Sequence, residues 1–300
     1  MSRNESRADS PTEPWTGART EVTETLYDAW GQRFTVDEVL FENRTDHQHL
    51  LIFHNARFGR VMTLDGVVQT TERDEFIYHE MMAHVPLFAH GAAQRVLIVG
   101  GGDGGLLREV IKHRSVEHVT QVEIDASVVE MATTWFPDHA RGAFDDARLN
   151  LVIDDGAAFV RDTQERFDVI MVDSTDPIGP GEVLFSNAFY RDCDRILAPG
   201  GILVTQNGVP FMQLDEAIRT SRAFREIFAD WHFYGAAVPT YLGGIMTLGW
   251  ASQVPGNRRV ALAELEQRFA DAAIETRYYT PSVHLGAFAL PRYVEEAIGA

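Results

Sequence analysis

The sequence predicts an α/β protein: a doubly wound, mostly parallel sheet preceded by a small antiparallel β domain. Three observations lead there. Between Arg95 and Asn207, continuous apolar runs alternate with segments of helical spacing, the pattern of parallel strands covered on both faces. Residues 33–71 alternate instead and turn often, with Asp65-Gly66 supplying a hairpin turn. Finally, "VLIVGGGDGGLLREV", residues 96–110, joins an apolar strand to a helix through a glycine-rich turn, the junction at which such sheets hold ligands.

In chain order, residues 1–22 are polar, with no apolar core segment. They are expected to form a disordered tail rather than a secretory signal. Residues 23–85 form a small β domain and a linking helix. Its strands are "RFTVDEVLFENRT", "QHLLIFHNA" and "GRVMTLDGVVQTT". The helix, "TERDEFIYHEMMAHVPLF", opens on a Thr-x-x-Asp capping pattern. Residues 86–300 form the main, Rossmann-like domain. Its strands are "RVLIVG", "HVTQVEID", "RLNLVID", "FDVIMVD" and "GILVTQN", and its helices "GLLREVIKH", "ASVVEMATTWF", "GAAFVRDT" and "NAFYRDCDRIL". After the helix "FMQLDEAIRTSRAFREIF", the runs "HFYGAAVPTYL" and "IMTLGWAS" suggest a closing hairpin on the sheet edge. That addition marks class I methyltransferase-like sheets more than nicotinamide-binding ones. Residues 260–300 read as a helix and a compact tail.

Charge narrows the partners. The 300 residues carry 44 acids against 26 Lys and Arg, for a net −18, which repels nucleic acid and anionic lipid. No apolar run approaches the roughly 20 residues of a membrane span, and a cytoplasmic protein is expected. The single cysteine, Cys193, excludes an intramolecular disulfide and a cysteine-based metal site, and it reads as an unreactive helical thiol.

Ligands in such folds bind beyond the carboxyl ends of the strands, and here each of the first four ends is acidic: "GGGDGG", "VEIDA", "IDDG" and "VDSTDPIGPGE". Glu123 follows the glycine loop by about 20 residues, the place of an acid that accepts from ribose hydroxyls. A nucleoside-type ligand follows. Asp103 sits inside the glycine loop, where it repels a pyrophosphate or a carboxylate. Two like charges about 4 Å apart at a dielectric near 20 cost about 4 kcal/mol, and the sign reverses for an ammonium. The loop therefore suits a ligand with a nucleoside at one end and a cation at the other. On the loop alone, capping of the following helix explains Asp103 equally well. Asp173 and Asp176, three apart on an exposed turn stiffened by Pro177 and Pro180, favour the cationic ligand. Paired acids also suit a metal, but no His accompanies them locally and magnesium sites usually add substrate phosphate; no metal is expected.

These residues resemble a known family. "TDHQHLLIFHN", "GRVMTLDGVVQTTERDEFIYHEMMAHVPL", "VLIVGGGDGGLLREV", "VEIDASVVE", "VIDDGAAFV", "VDSTDPIGPGE", "QNGVPF", "PTYLGGIMTLGWAS" and "YYTPSVHLGAFALP" are similar to motifs of the polyamine aminopropyltransferases, closely the bacterial spermidine synthases, from about Glu24 to Ile298. One departure is Thr280, where Asn is expected. The resemblance implies transfer of an aminopropyl group from decarboxylated S-adenosylmethionine, a co-substrate, to putrescine, with no cofactor. It implies Asp173 as general base, with Asp176, Asp103, His79, Tyr78, Gln206 and Tyr241 around the polyamine. Gln48, Glu123, Asp155, Gly156 and Pro180, with Gly100, Gly102 and Asp103 of the glycine loop, would hold the nucleoside. A homodimer or homotetramer is implied as well. Cadaverine, agmatine or spermidine as acceptor, a methyltransferase using intact S-adenosylmethionine, and a non-catalytic polyamine-binding protein are the alternative readings.

Overall fold

The computed structural model of the chain describes residues 20–24, 26–44, 49–177 and 179–299. Gln48 and most of the polar N-terminal segment lie outside the described residues. Glu21 and Val22, expected at the end of the tail, instead lie in a strand. β1 (Glu21–Thr23) pairs antiparallel with β2 (Arg33–Thr35), and Val22 packs on Phe34, Phe53 and Val61. The segment read as one strand from Arg33 is thus two. β3 (Glu38–Arg44), β4 (His49–Asn55), β5 (Gly59–Leu64) and β6 (Val67–Thr71) follow as an antiparallel four-stranded sheet in chain order. Asp65 and Gly66 turn the last hairpin with φ of 51° and 82°, the positive pair that an Asp-Gly turn supplies.

α1 (Glu75–His90) links the two domains. Asp74 occupies its N-cap, but its side chain bonds no helix N–H, so the expected capping box is absent. The carboxylate accepts instead from Thr71 Oγ1 at 2.6 Å and from Thr240 N and Oγ1 at 2.9 and 2.8 Å. It ties the helix start to a distant loop, a tertiary use that outcompetes the local cap.

The main domain alternates as expected. β7 (Arg95–Gly100), β8 (His118–Glu123), β9 (Leu149–Ile153), β10 (Phe167–Asp173) and β11 (Leu197–Gln206) are parallel. α2 (Gly105–Ile111), α3 (Ala126–Trp135), α4 (Pro137–Ala140), α5 (Gly156–Asp162), α6 (Asn187–Ile196) and α7 (Pro210–Ile227) connect and flank them. β12 (Asp230–Ala236) and β13 (Met246–Ser252) form the closing hairpin, with β13 antiparallel to β11, in the order β12-β13-β11-β10-β7-β8-β9. The C-terminal segment is more helical than expected: α8 (Leu262–Ala272), α9 (Pro281–Ala287) and α10 (Arg292–Ile298). Thr280 caps α9, accepting from Val283 N at 3.1 Å, a task that Thr and Asn share.

The continuous apolar runs have a direct cause. Val96 and Ile98 of β7 face one core layer with α1 and α2, while Leu97 and Val99 face the other with α5, α6 and α7. Burying each such side chain stabilises the fold by about 1.5–3 kcal/mol, and Ile98→Ala would cost about 2–5 kcal/mol. Cys193 is fully buried in the second layer, where burial pushes its thiol up. Among the described residues, no helix is long and apolar enough to cross a membrane.

Candidate active site

A cavity of about 360 Å³ opens at the carboxyl ends of β7, β8 and β10, between the sheet, α1 and the N-terminal domain. Tyr78, His79, Gly100, Gly102, Asp103, Glu123, Asp155, Gly156, Asp173, Asp176, Gln206 and Tyr241 all line it. Every expected site residue is among them except Gln48 and Pro180. Pro180 belongs to a 3-10 segment, Gly179–Phe185.

The glycines make this convergence possible. Gly101 N donates to Asp173 O at 3.0 Å, and a Cβ on Gly100 (φ 86°) would collide with that same carbonyl. A Cβ on Gly105 would strike the His79 ring. Gln121, inside β8, donates Nε2 to Gly100 O at 3.0 Å and Gly101 O at 2.7 Å. Sequence reasoning passed over Gln121; its signal is a lone amide inside an apolar strand, "HVTQVE".

Asp173 ends β10. Its Oδ1 accepts from the Tyr78 hydroxyl at 2.7 Å. Burial raises its carboxyl to about 6 against the opposing pull of His79, and Asp103 adds to the rise. The turn that follows is not simply exposed, as expected, because Asp173 and Asp176 line the cavity and are partly buried, while Thr175 between them is open to solvent. Gln206 Nε2 makes a long contact of 3.5 Å to Asp176 Oδ1, while its Oε1 accepts from Gly208 N at 2.7 Å. The Tyr241 hydroxyl is committed to Gln69 O at 2.7 Å, and its ring meets Tyr78 edge-on at 5.9 Å.

Asp103 does two things. Oδ1 accepts from Gly105 N at 2.9 Å, so the capping reading holds in part. Oδ2 faces His79 Nε2 at 3.5 Å. Although burial of the imidazole opposes its charge, Asp103 and Glu75 raise it to about 9. Near neutral pH, Asp103 therefore already faces a cation, which reduces the field it can offer a ligand.

At the other side, Glu123 ends β8, accepts from Asp125 N at 3.0 Å, and is raised to about 7 chiefly by burial. A Cβ on Gly102 would lie 2.7 Å from its Oε2, so the loop and the acid share one surface. Asp155 caps α5, accepting from Ala157 N at 2.8 Å and Ala158 N at 3.1 Å.

An acidic end of the cavity escaped sequence reasoning. The Tyr27 hydroxyl donates to Gln213 Oε1 at 3.0 Å, and Gln213 Nε2 to Glu216 Oε1 at 3.2 Å. Glu216 lies behind this lining rather than in it; burial, then the charge of Asp176, raises it to about 7, and its Oε2 is buried without a hydrogen-bond partner among the described residues. Glu24, also raised by burial, accepts from Val68 N at 3.0 Å and Gln32 at 2.9 Å. Glu24 lies before the first strand read from sequence and Glu216 lies mid-helix, so neither carried a motif signal. The cavity thus has a glycine-and-acid end, a clustered-acid end, and a buried carboxylate coupled electrostatically to Glu123 and Asp103. Such a site can hold a ligand that carries positive charge and remove a proton from it.

Comparison with known proteins shows the family and the fold. The family model described as "Spermine/spermidine synthase domain" matches residues 75–260, and that described as "Spermidine synthase tetramerisation domain" matches residues 19–72. Polyamine aminopropyltransferase 1 of Pseudomonas aeruginosa is 66% identical over 279 residues, covering 93% of this chain and 98% of its own. The polyamine aminopropyltransferase of Pseudomonas syringae is 63% identical, covering 93% and 97%. Among solved structures, a spermidine synthase in complex with the transition state analogue AdoDATO superposes with a TM-score of 0.88 at 35% identity, over 96% of this chain and 98% of that one. The spermidine synthase of Thermotoga maritima gives 0.86 at 34%, over 96% and 97%.

Proposed function

The chain belongs to the spermine/spermidine synthase family, and within this family of aminopropyltransferases we propose that it is a spermidine synthase. It moves the aminopropyl group of decarboxylated S-adenosylmethionine to putrescine, releasing spermidine and 5′-methylthioadenosine. The observation that carries this reading is Asp173, a buried carboxylate at the meeting point of the glycine loop and the acidic end.

The neutral acceptor nitrogen attacks the propyl carbon bonded to the sulfonium. The new C–N bond forms as the C–S bond breaks, and its electron pair neutralises the sulfur, which leaves as the thioether. The nitrogen's extra proton passes to Asp173 Oδ2, since Oδ1 holds the Tyr78 hydroxyl. An alkylamine titrates near the Lys value, about 10.4, so at pH 7 the neutral form costs about 4–5 kcal/mol. Raising Asp173 from 3.8 to about 6 narrows the mismatch between base and amine by about 3 kcal/mol at 1.36 kcal/mol per pH unit. Alignment of nitrogen, carbon and sulfur supplies much of the remaining acceleration.

In this reading Glu123 holds the ribose hydroxyls, with Gln48, Asp155, Gly156 and Pro180 around the nucleoside and Gly100 and Gly102 letting it approach. Asp103 and His79 line the propylamine arm. Asp176, positioned by Gln206, joins Glu24 around the far ammonium of the diamine, with Glu216 adding its charge from behind Gln213, while the Tyr78 and Tyr241 rings wall its methylene chain. The match of residues 19–72 to a tetramerisation domain supports a homo-oligomer, which we read as a homotetramer working in the cytoplasm.

The test is turnover with decarboxylated donor against putrescine, cadaverine, agmatine and spermidine in parallel. Putrescine should give the highest kcat/KM. Preferential use of another amine overturns the acceptor assignment, and no aminopropylated product from any of them overturns the reaction.

A further inference from the structure

Within the cavity lining, the His79 imidazole is held from three sides. Its Nδ1 lies 2.7 Å from Glu75 Oε2, one helical turn earlier on α1. Its Nε2 lies 3.5 Å from Asp103 Oδ2, and its ring rests against Gly105, where no side chain could fit. Glu75 is itself clamped from α2: Arg108 donates to its two oxygens at 3.2 and 2.9 Å. Arg108 is fixed in turn by Glu109 at 2.7 Å and by the Asp138 and His139 carbonyls at 3.2 and 2.6 Å. The His79, Glu75 and Arg108 side chains are only 4%, 8% and 8% exposed. Desolvating such a set is costly, and mutual attraction repays it only with full hydrogen bonding.

We propose that Glu75 and Arg108 are positioning residues of the aminopropyl-transfer site, holding His79 as an imidazolium whose Nε2–H faces Asp103, so that Asp103 is compensated and Asp173 is left as the base. This rests on the function proposed above.

The geometry favours the charge. With both oxygens of Glu75 occupied by Arg108 and the ring, the carboxylate cannot rotate away, and Nδ1 must donate to it. Only a second proton, on Nε2, then lets the ring present a donor to Asp103 rather than a lone pair. The groups facing His79 are Glu75 on its own helix, Asp103 in the glycine loop, Asp173 on β10, the neutral Tyr78 ring at 5.4 Å, Arg108 behind Glu75, and the His139 ring of α4 at 6.4 Å. The carboxylates of Asp103, Glu75 and Asp173 outweigh burial in that balance. Arg108 and His79 together keep Glu75 ionised, lowered to about 2 despite its burial, so that Glu75 does not take the proton from the ring. The imidazolium in turn pulls Asp173 down against the effect of burial. Losing it would leave Asp173 more protonated near neutral pH.

Glu75→Gln tests this, because the amide keeps the shape and an acceptor for Nδ1 but not the charge. In the selectively histidine-labelled enzyme, the NMR titration midpoint of His79 should fall by about 1–3 pH units, the effect of one opposite charge at contact. The acidic limb of kcat/KM should move up by about one pH unit. kcat should fall about twofold near pH 7 and about tenfold by pH 5, as a one-unit rise from about 6 requires, while KM for the amine stays unchanged, since no group touching the amine is removed. Glu75→Asp, with the charge restored, should return the limb toward wild type. An unmoved His79 midpoint or an unmoved limb in Glu75→Gln overturns the proposal, including the case where only thermal stability falls. Should that variant not fold, Arg108→Lys carries the same two readings, since the amine cannot grip both oxygens of Glu75. Wild-type turnover, run alongside, separates the failures: a wild type without aminopropyl transfer sinks the function, whereas an active wild type with an unshifted variant sinks only the positioning role.

Discussion

Replacing Asp173 by Asn separates catalysis from stability in opposite directions. The amide is nearly isosteric, and its oxygen can still accept from the Tyr78 hydroxyl that now sits 2.7 Å from Oδ1. Loss of a positioned general base lowers turnover by about 10²–10⁴-fold, or about 3–5 kcal/mol at 1.36 kcal/mol per decade. The folded carboxyl titrates near 6 rather than 3.8 because it is buried. The folded state therefore binds more protons than the unfolded state between those values, and stability falls as pH rises through that window. Above pH 6 the ionised carboxylate costs the free enzyme up to about 3 kcal/mol, an upper bound from that gap at 1.36 kcal/mol per pH unit. Asn does not carry the cost. Thermal melting at pH 7.5 should show Asp173→Asn as stable as wild type or more so, while the coupled assay for methylthioadenosine release shows the loss. The wild-type rate should fall as pH drops through about 6, and the variant should lack that limb. Turnover within tenfold of wild type refutes the base, and lost activity with a lowered melting temperature attributes the effect to folding instead.

Glu123→Gln should weaken methylthioadenosine binding by about 1.5–3 kcal/mol, the worth of hydrogen bonds to a charged acceptor; calorimetry with product alone checks it. Because Glu123 ionises only near 7, wild-type affinity should strengthen as pH rises through that value, and a flat pH profile places the ribose elsewhere. Gly105→Ala should cost about 1–3 kcal/mol of stability by overpacking and reduce kcat, because the new methyl meets the His79 ring; an unchanged melting temperature and rate contradict the close approach. Asp103→Asn should narrow the ratio of dissociation constants for intact and decarboxylated donor, since attraction to the ammonium and repulsion of the carboxylate both weaken. The change should be smaller than one bare charge would give, because His79 already compensates Asp103. An unchanged ratio makes Asp103 purely a cap on Gly105 N.

The central strands were legible because burial on both faces leaves a chemical trace: β7 and β10 coincide with the apolar runs that mark them. The acids at the strand ends were legible for a related reason, since a carboxylate directly after an apolar run stands at the ligand-binding rim. Residues whose importance is purely tertiary were not legible. Asp74 looked like a local cap and serves Thr240 instead. Gln121 looked like one polar interruption and braces the glycine loop. Glu75 and Arg108 lie far apart in sequence and meet only because α1 packs on α2. α9 and α10, seven residues each, are too short for periodicity to declare them. Asp103 was ambiguous in sequence because it is doubly used in the structure, with one oxygen on the helix and one on His79.

The central claim is that this cavity transfers an aminopropyl group, and product identity tests it most directly. The wild-type enzyme is incubated with putrescine and either decarboxylated or intact S-adenosylmethionine, and the products are resolved by mass spectrometry. The decarboxylated donor should yield spermidine and methylthioadenosine in equal amounts, and the intact donor neither. A methylated product together with S-adenosylhomocysteine from the intact donor, or no spermidine from the decarboxylated one, would contradict the account.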